Sequence, residues 1–160
     1  MQGKILLCLS VLAAAVPLRA GDGALDRATL RGIKAVNVVV DPLNRQLEQT
    51  GLTQEMLRSK LEERLRQAGI AIDRNSNEFL GLRVDSVLAR KGPYSICFAL
   101  GFYQRVLLVR DQGIRTATQT WDVNTILVVM PKPMVDGALN TAEQLADQFV
   151  TAYRFVNPKP

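Results

Sequence analysis

Hydrophobic and polar positions recur along this chain with two different periods, and the switches between them divide it into elements. The clearest stretch is residues 52–70, which has the helical period. Leu57, Leu61, Leu65 and Ala68 follow one another at steps of four, four and three, so they share one stripe of an α-helix. Thr53 is placed as the N-cap, where its hydroxyl accepts a free amide of the first turn. Leu52 and Leu57 have the spacing of a hydrophobic staple. Arg58, Glu62, Glu63 and Arg66 lie off the stripe. They read as a solvated face with four-residue pairs Arg58–Glu62 and Glu62–Arg66. Gly69 is placed to end the helix in a left-handed conformation.

The strand period dominates elsewhere. Residues 33–41, IKAVNVVVD, form a β-branched run with little alternation, the pattern of a strand covered on both faces. Residues 70–73 are a short strand. In residues 79–90, Leu80, Leu82, Val84 and Leu88 share one face, and Arg83 and Asp85 the other. Lys91-Gly92-Pro93 is a turn. In residues 94–110, Ile96, Phe98, Leu100 and Phe102 form an apolar face, and Gly101 marks a bulge or bend where the phase blurs. Asp111-Gln112-Gly113 is the next turn. In residues 115–129, Ala117, Trp121, Val123 and Leu127 oppose Thr116, Thr118, Thr120 and Asp122. A proline-punctuated loop at 130–134 leads to a last helix between about 137 and 156. Its stripe is Leu139, Ala142, Leu145, Ala146, Phe149, Tyr153 and Val156. Asn140 with Glu143 makes a capping-box-like start, or Asp136 caps a slightly longer helix. Asn157-Pro158 ends it.

The order β-α-β-β-β-β-α predicts an α+β fold, with a mostly antiparallel sheet of about five strands and two helices packed on one face. The strand–helix–strand unit can close as a parallel crossover.

The N-terminus changes the picture of compartment. Lys4 precedes an apolar run, residues 5–16, that is too short to span a bilayer. Pro17 breaks the run, and Leu18-Arg19-Ala20 ends on a small residue. Residues 1–20 therefore read as a signal peptide cleaved after Ala20, with Ala15 as the alternative, and residues 21–160 as a single α+β domain. The expected location is periplasmic or secreted. No second apolar stretch is long enough for a transmembrane helix. Residues 21–31 read as a short polar segment whose first residues are mobile. Cys8 follows too few apolar residues for a lipobox. Cys97 is then the only mature cysteine, so no internal disulfide forms, and its strand-like setting predicts a buried, inert thiol.

Charge excludes little. Lysines and arginines number 20 and acids 15, for a net +5; without Lys4 and Arg19 the excess is +3. That favours weak contact with an anionic surface such as lipid headgroups and does not by itself indicate nucleic-acid binding.

The chain has no histidine, which removes the commonest general base and metal ligand. A GxSxG elbow, a phosphate-binding P-loop, GxGxxG and an EF-hand loop are all missing. No cofactor, metal site or catalytic residue is expected. Asp85 and Asp122, on polar strand faces, are the only candidates for carboxylate chemistry. Tyr94, Phe98, Phe102, Tyr103 and Arg105 hint at base stacking, but the even-numbered members share a phase with Ile96 and Leu100, so core packing accounts for them better. Trp121 reads as a core anchor.

The residues Leu30-Arg31-Gly32-Ile33-Lys34-Ala35-Val36, Gly51-Leu52-Thr53 with 57–70, Thr120-Trp121 and the ending 149–159, FVTAYRFVNPK, resemble a group of small, exported, uncharacterised bacterial proteins. The resemblance covers most of the mature chain and brings no catalytic residues with it. In outline the strand–helix–strand plan is also similar to small periplasmic accessory domains of envelope-assembly lipoproteins, a likeness of fold alone.

The expected function is that of an exported, non-enzymatic periplasmic binding or envelope-accessory protein. Its partner would be an envelope protein or an anionic surface, met by Arg83, Asp85, Thr116, Thr118, Thr120 and Asp122 or by the loop at 130–134. The alternatives are a carrier holding a lipid or small apolar ligand between sheet and helices, and a carboxylate-dependent hydrolase.

Overall fold

A computed structural model describes residues 21–88 and 93–158. The expected signal peptide, its expected cleavage site, Cys8 and most of the turn at 91–93 lie outside these residues. The elements are α1 (Ala24–Ala28), β1 (Ala35–Val40), α2 (Arg45–Glu48), α3 (Gln54–Gln67), β2 (Ala71–Ile72), β3 (Phe79–Leu88), β4 (Tyr94–Leu108), β5 (Asp111–Val129) and α4 (Met134–Val156). The five strands form one sheet in the order β2-β1-β3-β4-β5. The fold is α+β, and the sheet is mixed: β1 runs parallel to both β2 and β3, while β3, β4 and β5 form the antiparallel meander.

Helix α3 forms as its sequence dictates. The Thr53 hydroxyl accepts the Met56 amide at 3.1 Å. Gly69 takes φ +82°, which an L side chain rarely adopts. Leu57, Leu61 and Leu65 are fully buried and Ala68 nearly so. They share one core with Val36, Val38 and Val40 of β1, Leu80, Leu82 and Val84 of β3, and Ile96, Phe98, Leu100 and Phe102 of β4, with α3 lying over β1 and β2 and α4 over β4 and β5. The charged residues of α3 are less solvated than their spacing implies. Glu62 is buried and pairs with Arg66 and Arg74, while Arg58 pairs with Glu55 instead of Glu62. Lys60 and Arg64 reach across to Glu143 and Asp147 of α4. Lys60 and Arg64 therefore make one flank of α3 the seam between two helices.

Helix α4 begins three residues earlier than its apolar stripe suggests, at Met134, with Pro133 in the N-cap position and no side-chain cap. Met134 is fully buried, so burial of its side chain, not a capping box at Asn140, sets the start. Strand β1 is flanked on both sides but covered on only one face: Val36, Val38 and Val40 are buried, and Ala35, Asn37 and Val39 are half-exposed. Two short helices lie in the connections: α1 arises in the polar N-terminal segment, and α2 is the helical turn that the mixed-polarity connection at 43–51 allows. Asn44 caps α2 by accepting the Leu47 amide at 3.0 Å.

The N-terminal segment is tied down instead of mobile. The Asp122 amide donates to the Gly21 carbonyl at 3.0 Å, which adds Gly21 to the outer edge of β5. Two segments of the family resemblance meet here as well. Asn157 donates to the Leu30 carbonyl at 2.9 Å and accepts from the Gly32 amide at 2.8 Å, fastening the end of α4 to the entry into β1.

Candidate functional site

All the long helices pack on one face of the sheet, so the other face is open. Strand register arranges its side chains in rows. Phe79, Tyr103 and Gln119 form the first row, Gly81, Gly101 and Asp122 the second, and Arg83, Ala99 and Asn124 the third. Asp85, Cys97 and Ile126 follow, then Val87, Ser95 and Val128. The second and third rows contain two glycines and an alanine, so the middle of the face lacks bulk. A groove of about 400 Å³ lies there, lined by Asp41, Phe79, Arg83, Tyr103, Gln119 and Asp122 around that small-residue floor.

One wall of the groove is aromatic. The rings of Phe79 and Tyr103 stack with centroids 4.9 Å apart and planes 8° from parallel. The Tyr103 hydroxyl donates to Gln119 Oε1 at 2.7 Å, which fixes the ring across the strands. Gly81 and Gly101 make room for it. A Cβ at Gly81 would lie 3.0 Å from the ring, and one at Gly101 would lie 2.6 Å from Gln119 Oε1 and 3.1 Å from the ring. The other wall is ionic: Arg83 donates to Asp85 at 2.8 Å, with both side chains about two-thirds exposed.

The structure splits the six residues of the predicted surface. Arg83, Asp85 and Asp122 stand on the open face. Thr116, Thr118 and Thr120 do not. The β4–β5 register shifts between Phe102 and Tyr103, where Phe102 pairs with Trp121 and Tyr103 with Gln119, leaving Thr120 as an extra residue. An inserted residue in one strand reverses the facing of everything beyond it. Thr120 accepts from Gln104 at 2.8 Å on the helix side, and Thr118 and Thr116 pair with Gln104 and Val106 in the same phase. Gln119, Ala117 and Arg115 therefore join Asp122's face instead, and Ala117 parts from Trp121. The bulge sits one residue from Gly101, which itself pairs regularly with Gly81.

Asp85 and Asp122 are not brought together. Asp122 lies in the row of Gly81, four residues before Asp85 and two strands away, so their Cα atoms are about 15 Å apart. A shared proton or a direct acid–base pair is impossible at that distance. Cys97 is exposed on the open face between Asp85 and Ile126, not buried. The alternation that buries Ile96 and Phe98 necessarily points Cys97 the other way. Of the loop at 130–134, residues 130–133 are exposed and Met134 is core. Between sheet and helices the space is filled by Trp121, Phe98, Phe102, Phe149 and the core leucines, each under 2% exposed.

Sequence reasoning missed Tyr103, Gln119 and the glycine pair. Only the even-numbered aromatics read as core, and the odd phase of Tyr103 relative to Phe102 is the signal that places it on the other face. The pairing of Gly81 with Gly101 was not visible, because it depends on register across a turn.

Among the described residues no helix is long and apolar enough to cross a membrane, and no group of three or more acidic or cysteine side chains is placed to hold a metal. A mixed five-stranded sheet with helices on one face and a groove on the other defines the class structurally. No protein-family model matches the chain, and no curated protein matches it. Solved structures similar to it are distant. A PelC dodecamer from Paraburkholderia phytofirmans is 12% identical with a TM-score of 0.42, covering 75% of this chain and 86% of that one. A minor lipoprotein from Acinetobacter baumannii is 11% identical with a TM-score of 0.33, covering 74% and 94%. A protein from Caulobacter crescentus CB15, provisionally assigned as a lipoprotein, is 17% identical with a TM-score of 0.36, covering 84% and 98%.

Proposed function

We propose that this chain is an exported, non-enzymatic binding protein of the bacterial envelope, and that its open sheet face is the surface that meets a partner. The observation that carries this reading is the groove over Gly81, Ala99 and Gly101, with an aromatic wall at Phe79 and Tyr103 and charged residues Asp41, Arg83 and Asp122 at its rim. Concave sites with apolar walls and a few fixed polar groups are the usual form of a binding site. The signal-like N-terminus supports export, and the lack of histidine supports a role without acid–base catalysis. Thr116, Thr118 and Thr120 are not part of this surface, because the bulge at Thr120 turns them to the other side.

The test is site-specific photocrosslinking in the producing cell. A photoreactive residue at Ala99 should give a discrete crosslinked species. Arg83→Glu and Tyr103→Ala should abolish it, and a substitution at exposed Asn140 on the helix face should not. A crosslinking pattern indifferent to the groove variants would rule this reading out.

A further inference from the structure

Strand β3 makes its last pair with β4 at Phe79 and Tyr103. Beyond that point residues 104–108 and 111–118 continue as a two-stranded ribbon with no third strand. The turn is at Val109 and Arg110, with Leu108 paired to Asp111, not at Asp111-Gln112-Gly113. Gln112 to Ile114 form a second irregularity, in which Asp111 accepts the Gly113 amide at 2.9 Å. The arm extends about 15 Å past the sheet, and residues 111–119 are all exposed.

A ribbon in water is expected to carry polar side chains at its tip. This one exposes Val109 by 96%, Leu107 by 55% and Ile114 by 44%. Arg105, Arg110 and Arg115 flank these apolar groups, against a single acid, Asp111. Arg105 reaches only the neutral amide of Asn77, at 3.4 Å. Among the described residues, neither Arg110 nor Arg115 has a carboxylate partner. Arg105 and Arg115 lie across a shallow depression of about 250 Å³ with Thr116 and Ala117. Guanidinium groups bind phosphate in bidentate fashion, and apolar side chains beside them enter the boundary between headgroups and acyl chains.

We infer that the β4–β5 arm, through Arg105, Arg110, Arg115 and the apolar tip at Leu107, Val109 and Ile114, docks this protein on an anionic lipid surface. The arm begins at Tyr103 and Gln119, so docking holds the groove within a few strand rows of the headgroups. The inference does not depend on the groove having a partner, and the two are tested separately.

The experiment is vesicle co-sedimentation of the exported, processed chain, with its N-terminus verified by mass spectrometry. Vesicles of phosphatidylcholine containing phosphatidylglycerol should bind it, and phosphatidylcholine alone should not. Binding should fall as salt is raised. Arg105→Gln, Arg110→Gln and Arg115→Gln should each weaken partitioning about five-fold. Val109→Asp should weaken it about ten-fold or more. A fluorophore on Val109→Cys, in a Cys97→Ser background, should shift to the blue with anionic vesicles, while one on Gln144→Cys should not. Failure to bind anionic vesicles overturns the inference, and so does binding unaffected by the arginine and Val109 variants. Arm variants that alter only self-association without lipid would assign the arm to a second copy and overturn it equally.

Discussion

The carboxylate of Asp22 accepts the indole N–H of Trp121 at 2.8 Å, across 99 positions of sequence, inside the protein. The same carboxylate binds Arg27 through two hydrogen bonds, at 2.7 and 2.6 Å. The Asp22 side chain is 4% exposed, so its charge is compensated by a bidentate guanidinium and by an N–H that would otherwise be buried without an acceptor. The hydrogen bond that Arg27 donates to Asp22 holds its guanidinium above the ordinary pKa, with burial opposing and the carboxylate's charge adding to the shift. Trp121 packs edge-on against Phe149 of α4 at 5.2 Å. Asp22 thus connects the N-terminal segment, the edge strand and the last helix. Asp22→Ala should cost about 3 kcal/mol and lower Tm by about 10 °C. Thermal unfolding followed by tryptophan fluorescence checks this. A change below about 1 kcal/mol would show the contact to be dispensable.

The α3 stripe sets a second expectation. Leu61 is fully buried between α4 and the sheet, and its truncation to alanine removes contacts that close packing cannot restore. Leu61→Ala should destabilise by about 2–5 kcal/mol, while replacing exposed Met56 should cost well under about 1 kcal/mol. Urea unfolding of the pair measures the difference.

Gly81 and Gly101 hold the groove open without needing positive φ. Alanine at Gly81 would place a methyl group 3.0 Å from the Tyr103 ring, so the ring must give by a few tenths of an ångström. The expected result is a shifted Tyr103 signal in NMR spectra with stability changed by about 1 kcal/mol or less. Any groove-dependent crosslink should disappear in the same variant.

The seam between α3 and α4 gives a pH dependence. A hydrogen bond from Lys60 to Glu143 raises the lysine pKa from its ordinary 10.5, with burial opposing and the charges of Glu143 and Glu63 adding. A raised pKa in the folded state means the stabilisation is fully present below pH 10.5 and is lost as pH climbs through the higher folded value. Lys60→Met should therefore flatten the alkaline limb of the stability profile. Unfolding midpoints between neutral and strongly alkaline pH test the sign.

Cys97 is exposed among open-face side chains. A thiol reagent should modify it in native buffer without denaturant, and blocking it should leave Tm unchanged. Modification that occurs only on unfolding would contradict its facing.

Several of these features were legible before any fold was known, and the reason is local. The stripe of α3, its Thr53 cap and its Gly69 stop depend on neighbours within a turn or two of helix. The alternation of Ile96, Phe98, Leu100 and Phe102 depends only on the two-residue pleat. The inward Trp121 followed from its large apolar surface.

Other features needed register and packing. The parallel pairing of β1 with β3 depends on where a crossover lands, which no periodicity records. One inserted residue at Thr120 turned Thr116 and Thr118 away from Asp122, because the pleat counts residues and a bulge breaks the count. Cys97 needed no register, since the alternation that buries Ile96 and Phe98 already turns it to the surface. Glu62 became buried where Arg66 and Arg74, the latter from beyond β2, close over it, and the polar N-terminus became ordered because β5 offered a free edge and Trp121 an unpaired N–H. The chain by itself determined the elements, since period, caps and stops act over a few residues. Tertiary structure determined the faces and the groove, since these arise only when distant strands fix each other's register.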